Sequence, residues 1–523
     1  MVIGLDDKFE GSLYSENWFQ LTVYDKDYSV PKWLYGGVIY QIFPDRFCRG
    51  EQNKTISKDK VLHDNWLDTP VYTPNEKGKI VNNDFFGGDF KGIISKIPYL
   101  KSLGVTAIYL NPIFKAFSNH RYDTGNYMEI DPLLGTEEDF KNLISSCEKA
   151  GIKIILDGVF NHTGDDSIYF NKYGNYPSLG AYQSNKSPYY KWYDFIDYPE
   201  DYNSWWGILT LPCVNENNKD FINYITGIDG VIEHYTKLGV GGWRLDVVDE
   251  LPAKFVRKIR KAVKRNCKNA TIIGEVWEDA SNKIAYGVRR EYFQGKELDS
   301  VMNYPLKNAI LNFVKSKDCA LLSYTIKEQI DHYPKKVLDN LMNILSTHDT
   351  VRLITALCGA DMTGKTKGEM SETVIPENLM PEAEFSVKVA SLLQYTLCGV
   401  PSVYYGDEIG MQGYADPLNR RCYPWGNENH ELLRWYAFLG KLRADYDAFS
   451  VGDYSEIYLK GGVVVFSRKA TKSEVLVAIN ISGNQIALEF EGALTSLISG
   501  KKFNDRIDLY GKSFDLLVKN NKR

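Results

Sequence analysis

Four acidic residues each follow a short apolar run in this sequence, and their types and spacing suit the cleavage of a glycosidic bond. Lys153-Ile154-Ile155-Leu156 runs into Asp157, Gly242-Trp243-Arg244-Leu245 into Asp246, and Thr271-Ile272-Ile273-Gly274 into Glu275. Asn343-Ile344-Leu345-Ser346 leads to His348 and Asp349. One acid after a strand most often caps the next helix. Four of them, accompanied by Arg244, His162 and His348, exceed what capping explains, because caps would also be drawn from Ser, Thr and Asn. Arg244 and Asp246 stand two apart on one extended segment, so their side chains face the same way. A guanidinium there favours the charged form of the neighbouring carboxylate. An ionised carboxylate beside a protonated one, about 5–5.5 Å away, is the arrangement for cleavage with retention: one attacks the anomeric carbon while the other protonates the leaving oxygen. His162 and His348, each beside a strand end, are suited to donate hydrogen bonds to sugar hydroxyls, the bland alternative being a structural hydrogen bond.

Elements must bring these residues together. Short continuous apolar runs suit strands buried on both faces of a parallel sheet. Besides the four above, Val38-Ile39-Tyr40-Gln41-Ile42, Ala107-Ile108-Tyr109-Leu110 and Val400-Pro401-Ser402-Val403-Tyr404 are such runs. Helical patterns fall between them. One starts at Thr136 with Phe140, Leu143 and Ile144 on one face and Gly151 closing it; one carries Phe221, Ile222, Ile225 and Ile232 to Leu238-Gly239; one opens at Pro252 through Phe255, Val256 and Ile259. The alternation, with no Gly-rich phosphate loop, predicts an α/β (β/α)8 TIM barrel over residues 35–444, whose chemistry sits where the strands end. Residues 163–217 show no clear period and hold fourteen aromatics, which predicts an inserted domain after the third strand. Residues 445–523 alternate like strands, as in Gly462-Val463-Val464-Val465-Phe466, and predict a C-terminal antiparallel β-sandwich domain. Residues 1–34 form a short N-terminal extension.

Composition narrows the class. The chain has 523 residues, 44 % hydrophobic and 25 % charged, with 62 Lys+Arg against 67 Asp+Glu, a net charge of −5. That balance argues against a nucleic-acid partner. No uninterrupted apolar segment approaches a membrane span, and the N-terminus lacks the basic and apolar parts of a secretory signal. Eight scattered cysteines without a C-x-x-C pair read as free thiols in a reducing, cytoplasmic setting.

On these motifs the sequence resembles glycoside hydrolase family 13, the α-amylase family, and within it the neopullulanase, cyclomaltodextrinase and maltogenic-amylase group. Asp157-Gly158-Val159-Phe160-Asn161-His162, Gly242-Trp243-Arg244-Leu245-Asp246, Gly274-Glu275-Val276-Trp277 and Ser346-Thr347-His348-Asp349-Thr350 fit the family's four regions in order. Tyr40-Gln41-Ile42-Phe43-Pro44-Asp45-Arg46-Phe47 and His120-Arg121-Tyr122-Asp123-Thr124 point to the subgroup. The resemblance implies Asp246 as nucleophile, Glu275 as general acid/base and Asp349 as stabiliser of the distorted sugar. It implies that Arg244 positions Asp246 and Asp157 orients Arg244, that His162 and His348 bind the reacting sugar, and that Tyr122 stacks beneath it. Asp416 and Arg420 would hold the next sugar, and Trp277 would border the leaving side unless it is a core tryptophan.

The implied activity is hydrolysis of α-1,4-glucosidic bonds in maltooligosaccharides, cyclodextrins, pullulan or starch, with some α-1,6 cleavage and transglycosylation. The alternatives are an endo-acting α-amylase on long starch chains or an exo-acting α-glucosidase. A catalytically inactive glucan-binding protein is disfavoured because all three acids are intact. No cofactor is required. Structural calcium, frequent in the family, is not expected: Arg49 stands in Cys48-Arg49-Gly50-Glu51-Gln52-Asn53 where an acidic ligand belongs, and Glu250 where the other site uses a His. Asp89 and Asn161 remain as weak candidate ligands. The subgroup's additional N-terminal β-domain, which helps form dimers, has no counterpart in residues 1–34: either that domain is lacking or the chain is a truncated form, and a monomer or a homodimer is expected.

Overall fold

The structure, a computed structural model, describes residues 3–5, 11–12, 17–51, 54–76, 78 and 80–519. Its centre is a parallel barrel of eight strands. In chain order these are β1 (Ile39–Ile42), β2 (Ala107–Leu110), β3 (Lys153–Gly158), β4 (Gly242–Leu245), β5 (Thr271–Gly274), β6 (Ser300–Val301), β7 (Met342–Ile344) and β8 (Val400–Tyr404). The hydrogen-bonded order is β6-β5-β4-β3-β2-β1-β8-β7. A parallel bridge between Met302 and Met342 joins the two ends and closes the barrel.

Seven of these strands are the apolar runs expected from the sequence. The eighth, β6, has two residues, too short to form a run. Period two sorts each strand between two apolar environments. Ile39, Ala107, Tyr109, Ile155, Ile273, Met342, Ile344 and Val400 pack with one another inside the barrel. Tyr40, Ile108, Leu110, Ile154, Leu156, Trp243, Leu245 and Ile272 face outward into the shell of helices.

Helix Glu137–Lys149 follows β2, and its start has a local cause. Thr136 Oγ1 accepts from the Asp139 N–H and the Asp139 carboxylate accepts from the Thr136 N–H, a reciprocal cap; Gly151 follows at φ +76°. Pro252 caps helix Ala253–Asn266 as anticipated. One expectation is corrected. The segment from Phe221 to Leu238 is two helices, Lys219–Thr226 and Val231–Lys237, because Gly227 and Gly230 leave the helical conformation between them. Between β5 and β6 no α-helix forms; the chain makes a small hairpin, Ile284–Ala285 with Val288–Arg289.

The insertion after β3 contains a two-stranded pair, Phe195–Asp197 with Asp201–Tyr202, and two short 3-10 turns. It is held largely by its own rings: Phe170 packs within 4.8–5.9 Å of Tyr182, Tyr193, Phe195 and Tyr202. The N-terminal part pairs three short strands, Ile3–Leu5, Gly11–Ser12 and Asn17–Phe19. The C-terminal part is one antiparallel six-stranded sheet: β9 (Asp453–Lys460), β10 (Val463–Lys469), β11 (Glu474–Asn480), β12 (Ile486–Ser496), β13 (Lys502–Leu509) and β14 (Ser513–Lys519), in the order β9-β10-β11-β14-β12-β13. Its faces differ in destination. Val464, Phe466, Val475, Val477 and Ile479 join the main core, whereas Val463 and Val465 meet Leu509 from a strand they do not pair with, so the sheet folds over itself like a sandwich. Among the described residues no helix is long and apolar enough to cross a membrane.

Candidate active site

The inward face of the barrel changes chemistry within two residues at the C-terminal strand ends. Going up each strand, Ile39 gives way to Gln41, Tyr109 to Asn111, Ile155 to Asp157, Gly242 to Arg244 and then Asp246, Ile273 to Glu275 and Ile344 to Ser346. The register places Asp157 directly beside Arg244 on the neighbouring strand. Aliphatic layers therefore seal the floor while polar side chains converge above it.

Arg244 is the hub. It is fully buried. Its Nη1 lies 2.8 Å from Asp157 Oδ1 and 2.7 Å from Asp246 Oδ1, and its Nη2 lies 2.8 Å from Glu275 Oε2. One cation thus joins three carboxylates. Burial pushes the carboxyls of Asp157 and Asp246 upward; Arg244 opposes this, while Glu275 and Asp157 add repulsion at Asp246. Glu275 is oriented at both oxygens: Oε2 accepts from the Val247 N–H at 2.8 Å and Oε1 from Trp277 Nε1 at 3.1 Å. Val247, directly after Asp246, has φ +37°, an outlier for a β-branched residue that aims its N–H at the acid.

Asp349 stands across the cavity with 32 % of its side chain exposed, 3.2 Å from His348 Nε2 and 3.5 Å from Arg420 Nη2. His348 is buried and held on both nitrogens, Nδ1 accepting from Gln41 Nε2 at 2.9 Å and Nε2 lying 2.6 Å from the Tyr122 hydroxyl. Burial, then the charges of Arg420 and Arg244, lower its pKa well below the usual histidine value, so the ring is neutral. The Tyr122 ring stacks parallel to it, 5.3 Å between centroids, and its hydroxyl donates to Asp157 at 2.8 Å. His162 Nε2 donates to the Tyr122 carbonyl at 3.1 Å, and Nδ1 has no partner; burial pulls this ring down to about 3. Arg420 pairs with Asp416 at 2.8 Å and donates to the His348 carbonyl at 2.9 Å. Trp277 is 46 % exposed and stacks on Tyr304 at 3.9 Å. It is therefore not a core tryptophan.

All eleven of these predicted residues except Asp157 and Arg244 line a single cavity of ≈ 1570 Å³; those two lie beneath it, in contact with Asp246. Sequence reading missed Gln41, Tyr109 and Asn111. Tyr109 donates to Asp157 at 2.6 Å, and Asn111 donates to the Tyr122 hydroxyl at 3.0 Å. The sequence carries a signal for them: each is a polar or hydroxylated inward position near the end of β1 or β2.

The calcium candidates are separate from this cluster. Asp89 caps helix Phe90–Ser95, accepting from Gly92 N at 2.7 Å, Gly50 N at 3.1 Å and Glu51 N at 2.9 Å, and its carboxylate pairs with Lys54 at 2.8 Å. Its oxygens are committed to donors, which does not fit a divalent cation. The expected opponent, Arg49, instead donates to the carbonyls of Phe86 and His63; Lys54 supplies the charge. Gln52 and Asn53 of the same loop lie outside the described residues. Asn161 is buried with neither side-chain amide atom partnered, but one amide oxygen is short of the several hard oxygens calcium takes. Among the described residues no group of three His, Cys, Asp or Glu is arranged to hold a metal.

Comparison with known proteins agrees with this geometry. An amylopullulanase of Thermoanaerobacter thermohydrosulfuricus is 38 % identical over 499 residues, covering 86 % of this chain and 32 % of that protein. The chain spans 28 to 41 % of the length of the amylopullulanases it matches. A cyclomaltodextrinase of Thermoanaerobacter pseudethanolicus is 32 % identical, covering 88 % of this chain and 73 % of that one. The solved structure of the type III pullulan hydrolase from Thermococcus kodakarensis superposes with a TM-score of 0.80 at 28 % identity, covering 99 % of this chain and 88 % of that one. The family description "Alpha amylase, catalytic domain" matches residues 41–431, and the chain belongs to that α-amylase family.

Proposed function

We propose that this chain is a retaining hydrolase of α-1,4-glucosidic bonds in maltooligosaccharides, cyclodextrins, pullulan or starch, with some α-1,6 cleavage. The observation that carries the reading is Arg244 joined to Asp157, Asp246 and Glu275 at the floor of one cavity, with Asp349 opposite. Asp246 attacks the anomeric carbon, and Arg244 favours its charged form. Glu275 protonates the leaving oxygen, and a covalent glycosyl–Asp246 intermediate forms. Glu275 then takes a proton from water, which attacks the same carbon, and two inversions give retention. Asp349 accepts from the ring hydroxyls of the distorted sugar, and neutral His348 lies against the same sugar. Tyr122 supports it with its ring, His162 borders it, Asp416 and Arg420 hold the next sugar, and Trp277 flanks the leaving side.

The cavity, at ≈ 1570 Å³, exceeds the usual range for small-ligand sites. That favours oligosaccharides over release of single glucose units by an α-glucosidase. It leaves endo-acting cleavage of long starch chains as the second reading. Relatives named amylopullulanase and cyclomaltodextrinase support the substrate class. Within the same reading, residues 35–444 are the catalytic unit with 163–217 inserted, preceded by 1–34 and followed by the β-domain of 445–523. The eight free thiols support a reducing, cytoplasmic location, with the chain acting as a monomer or homodimer.

The test is product analysis with maltotriose, a cyclodextrin, pullulan and soluble starch, following anomeric configuration from the start. Ring opening, panose from pullulan and initial α-anomers are expected. Initial β-anomers would overturn the mechanism, and mixed long dextrins from starch alone would shift the reading to an α-amylase.

A further inference from the structure

The three acids are held in different ways. Asp246 and Glu275 are fixed through their side chains, at 2.7 and 2.8 Å from Arg244. Asp349 is held more loosely: its carboxylate lies 3.2 Å from His348 Nε2 and 3.5 Å from Arg420 Nη2, longer than the roughly 2.7–2.9 Å of a charge-assisted hydrogen bond. Contacts of that length do not fix a carboxylate closely. Its place is set instead by the backbone that carries it.

One buried amide pins that backbone. Asn419, in the short turn Leu418–Arg420, is fully buried. Its Nδ2 donates to the His348 carbonyl at 2.7 Å and to the Thr350 carbonyl at 2.8 Å, with the Thr347 carbonyl at 3.5 Å. The two short bonds grip the peptides on either side of Asp349. A carboxamide nitrogen carries two protons on one atom and so can bridge two carbonyls. Asn419 Oδ1 has no partner among the described residues. Burying an unsatisfied acceptor is destabilising, so the use of this side chain lies in its donors. The peptide between His348 and Asp349 is held at both ends: its carbonyl also accepts from Arg420 Nε at 2.9 Å, and its N–H donates to Thr347 Oγ1 at 3.2 Å.

Asn419 is anchored in turn. Arg352, fully buried, donates from Nε to the Asn419 carbonyl at 2.9 Å and from Nη1 to the carbonyl of Tyr405, which directly follows β8. Its guanidinium lies 4.3 and 4.6 Å from the ring centroids of Tyr404 and Tyr405. Asp407, 3.5 Å from Arg352 Nη1, accepts from Ser346 Oγ two residues past the end of β7. The ends of β7 and β8 are thereby joined, and Asn419 carries that rigidity to the segment between Thr347 and Thr350.

We propose that Asn419 is a positioning residue for Asp349, bridging the carbonyls on either side of it, with Arg352 as the anchor that ties Asn419 to β8. The inference rests on the role of Asp349 in the mechanism proposed above. A carboxylate that acts on the distorted sugar loses its effect when displaced by about an ångström, and such a displacement from a distant change costs up to about 10²-fold in rate. Asn419 therefore acts only through Asp349.

That coupling is what the experiment reads. Fluoride release from α-maltosyl fluoride is measured for the full chain in a cycle of wild type, Asn419→Ala, Asp349→Asn and the double variant. Asp349→Asn should lower kcat/KM about 10²-fold or more; a loss under tenfold would defeat the role of Asp349, and the inference with it. With that loss in place, Asn419→Ala should cost about 10- to 100-fold in the wild-type background and under threefold in the Asp349→Asn background. A merely structural residue would cost the same factor in both. Equal losses in the two backgrounds, or no loss in either, overturn the inference and leave the hydrolytic reading standing. If Asn419→Ala does not fold, Asn419→Ser, which keeps one donor, carries the same cycle with the same criterion.

Discussion

At the floor of the barrel Arg443 is buried and donates from Nε to the Gly37 carbonyl at 3.0 Å, from Nη1 to Tyr395 at 2.8 Å and from Nη2 to Gly399 at 2.9 Å. Its neighbour Arg468 likewise donates to the carbonyls of Gly452 and Thr396. At the mouth Arg244 is buried as deeply but faces three carboxylates. The partners decide the difference. Backbone carbonyls are neutral and hold no exchangeable proton, so the floor arginines tie together the segments that enter β1 and β8. Burial, followed by the like charge of Arg468, pulls Arg443 down to about 9, still charged at neutral pH. Carboxylates can take and give protons, so the same cation at the mouth sets the charge of the groups that react.

The contrast breaks most sharply at Asp246. Asp246→Asn removes the attacking oxygen and little volume, and hydrolysis of maltotriose should fall by about 10⁴-fold or more with folding intact. Activity within tenfold of wild type would make the mouth merely structural. Arg443→Met is the converse. Each orphaned carbonyl costs about 1–3 kcal/mol, so the urea midpoint should drop clearly while kcat/KM of the folded enzyme stays within about twofold.

Titration should also separate the ends. His162, held at about 3 in the folded chain against about 6.5 unfolded, binds its proton first in the unfolded state as pH falls. Its contribution is therefore complete above about pH 6.5 and is lost towards pH 3, at up to about 1.4 kcal/mol per unit. Asp407 and Glu408, pushed up to about 6 mainly by burial, have the opposite sign; they favour the folded state as pH falls through 6. The difference between wild type and His162→Gln therefore carries the test. Stability measured by denaturant from pH 7.5 to 4.5 should decline less in the variant, and parallel curves would reject the assignment. The smallest effect is expected at Trp277. Trp277→Phe keeps a ring on Tyr304 but removes the donor to Glu275, and kcat/KM should fall about three- to tenfold.

Much of this was legible in the sequence because it is local. A strand buried on both faces must be an apolar run, and period two places Ile155 and Asp157, or Ile273 and Glu275, on one face without knowledge of the neighbour. The cap of Thr136 and Asp139 spans three residues and is equally readable. The two-residue β6 was hidden because it is defined by its neighbours β5 and Met342, not by its own pattern. The break at Gly227 and Gly230 was hidden because the apolar face continues across it. Lys54, not Arg49, reaches Asp89, and nothing in their spacing distinguishes them.

Taken alone, the residues determined which acids stand at strand ends, that they share a barrel mouth, and which family pattern they match, since backbone geometry fixes side-chain period within a strand. Only the tertiary structure decided that one guanidinium serves Asp157, Asp246 and Glu275, that Tyr109 and Gln41 support Asp157 and His348, and that Trp206 reaches Glu250. Those contacts depend on strand register and barrel closure, which are set by packing summed over the whole chain and leave no mark on any short stretch of it.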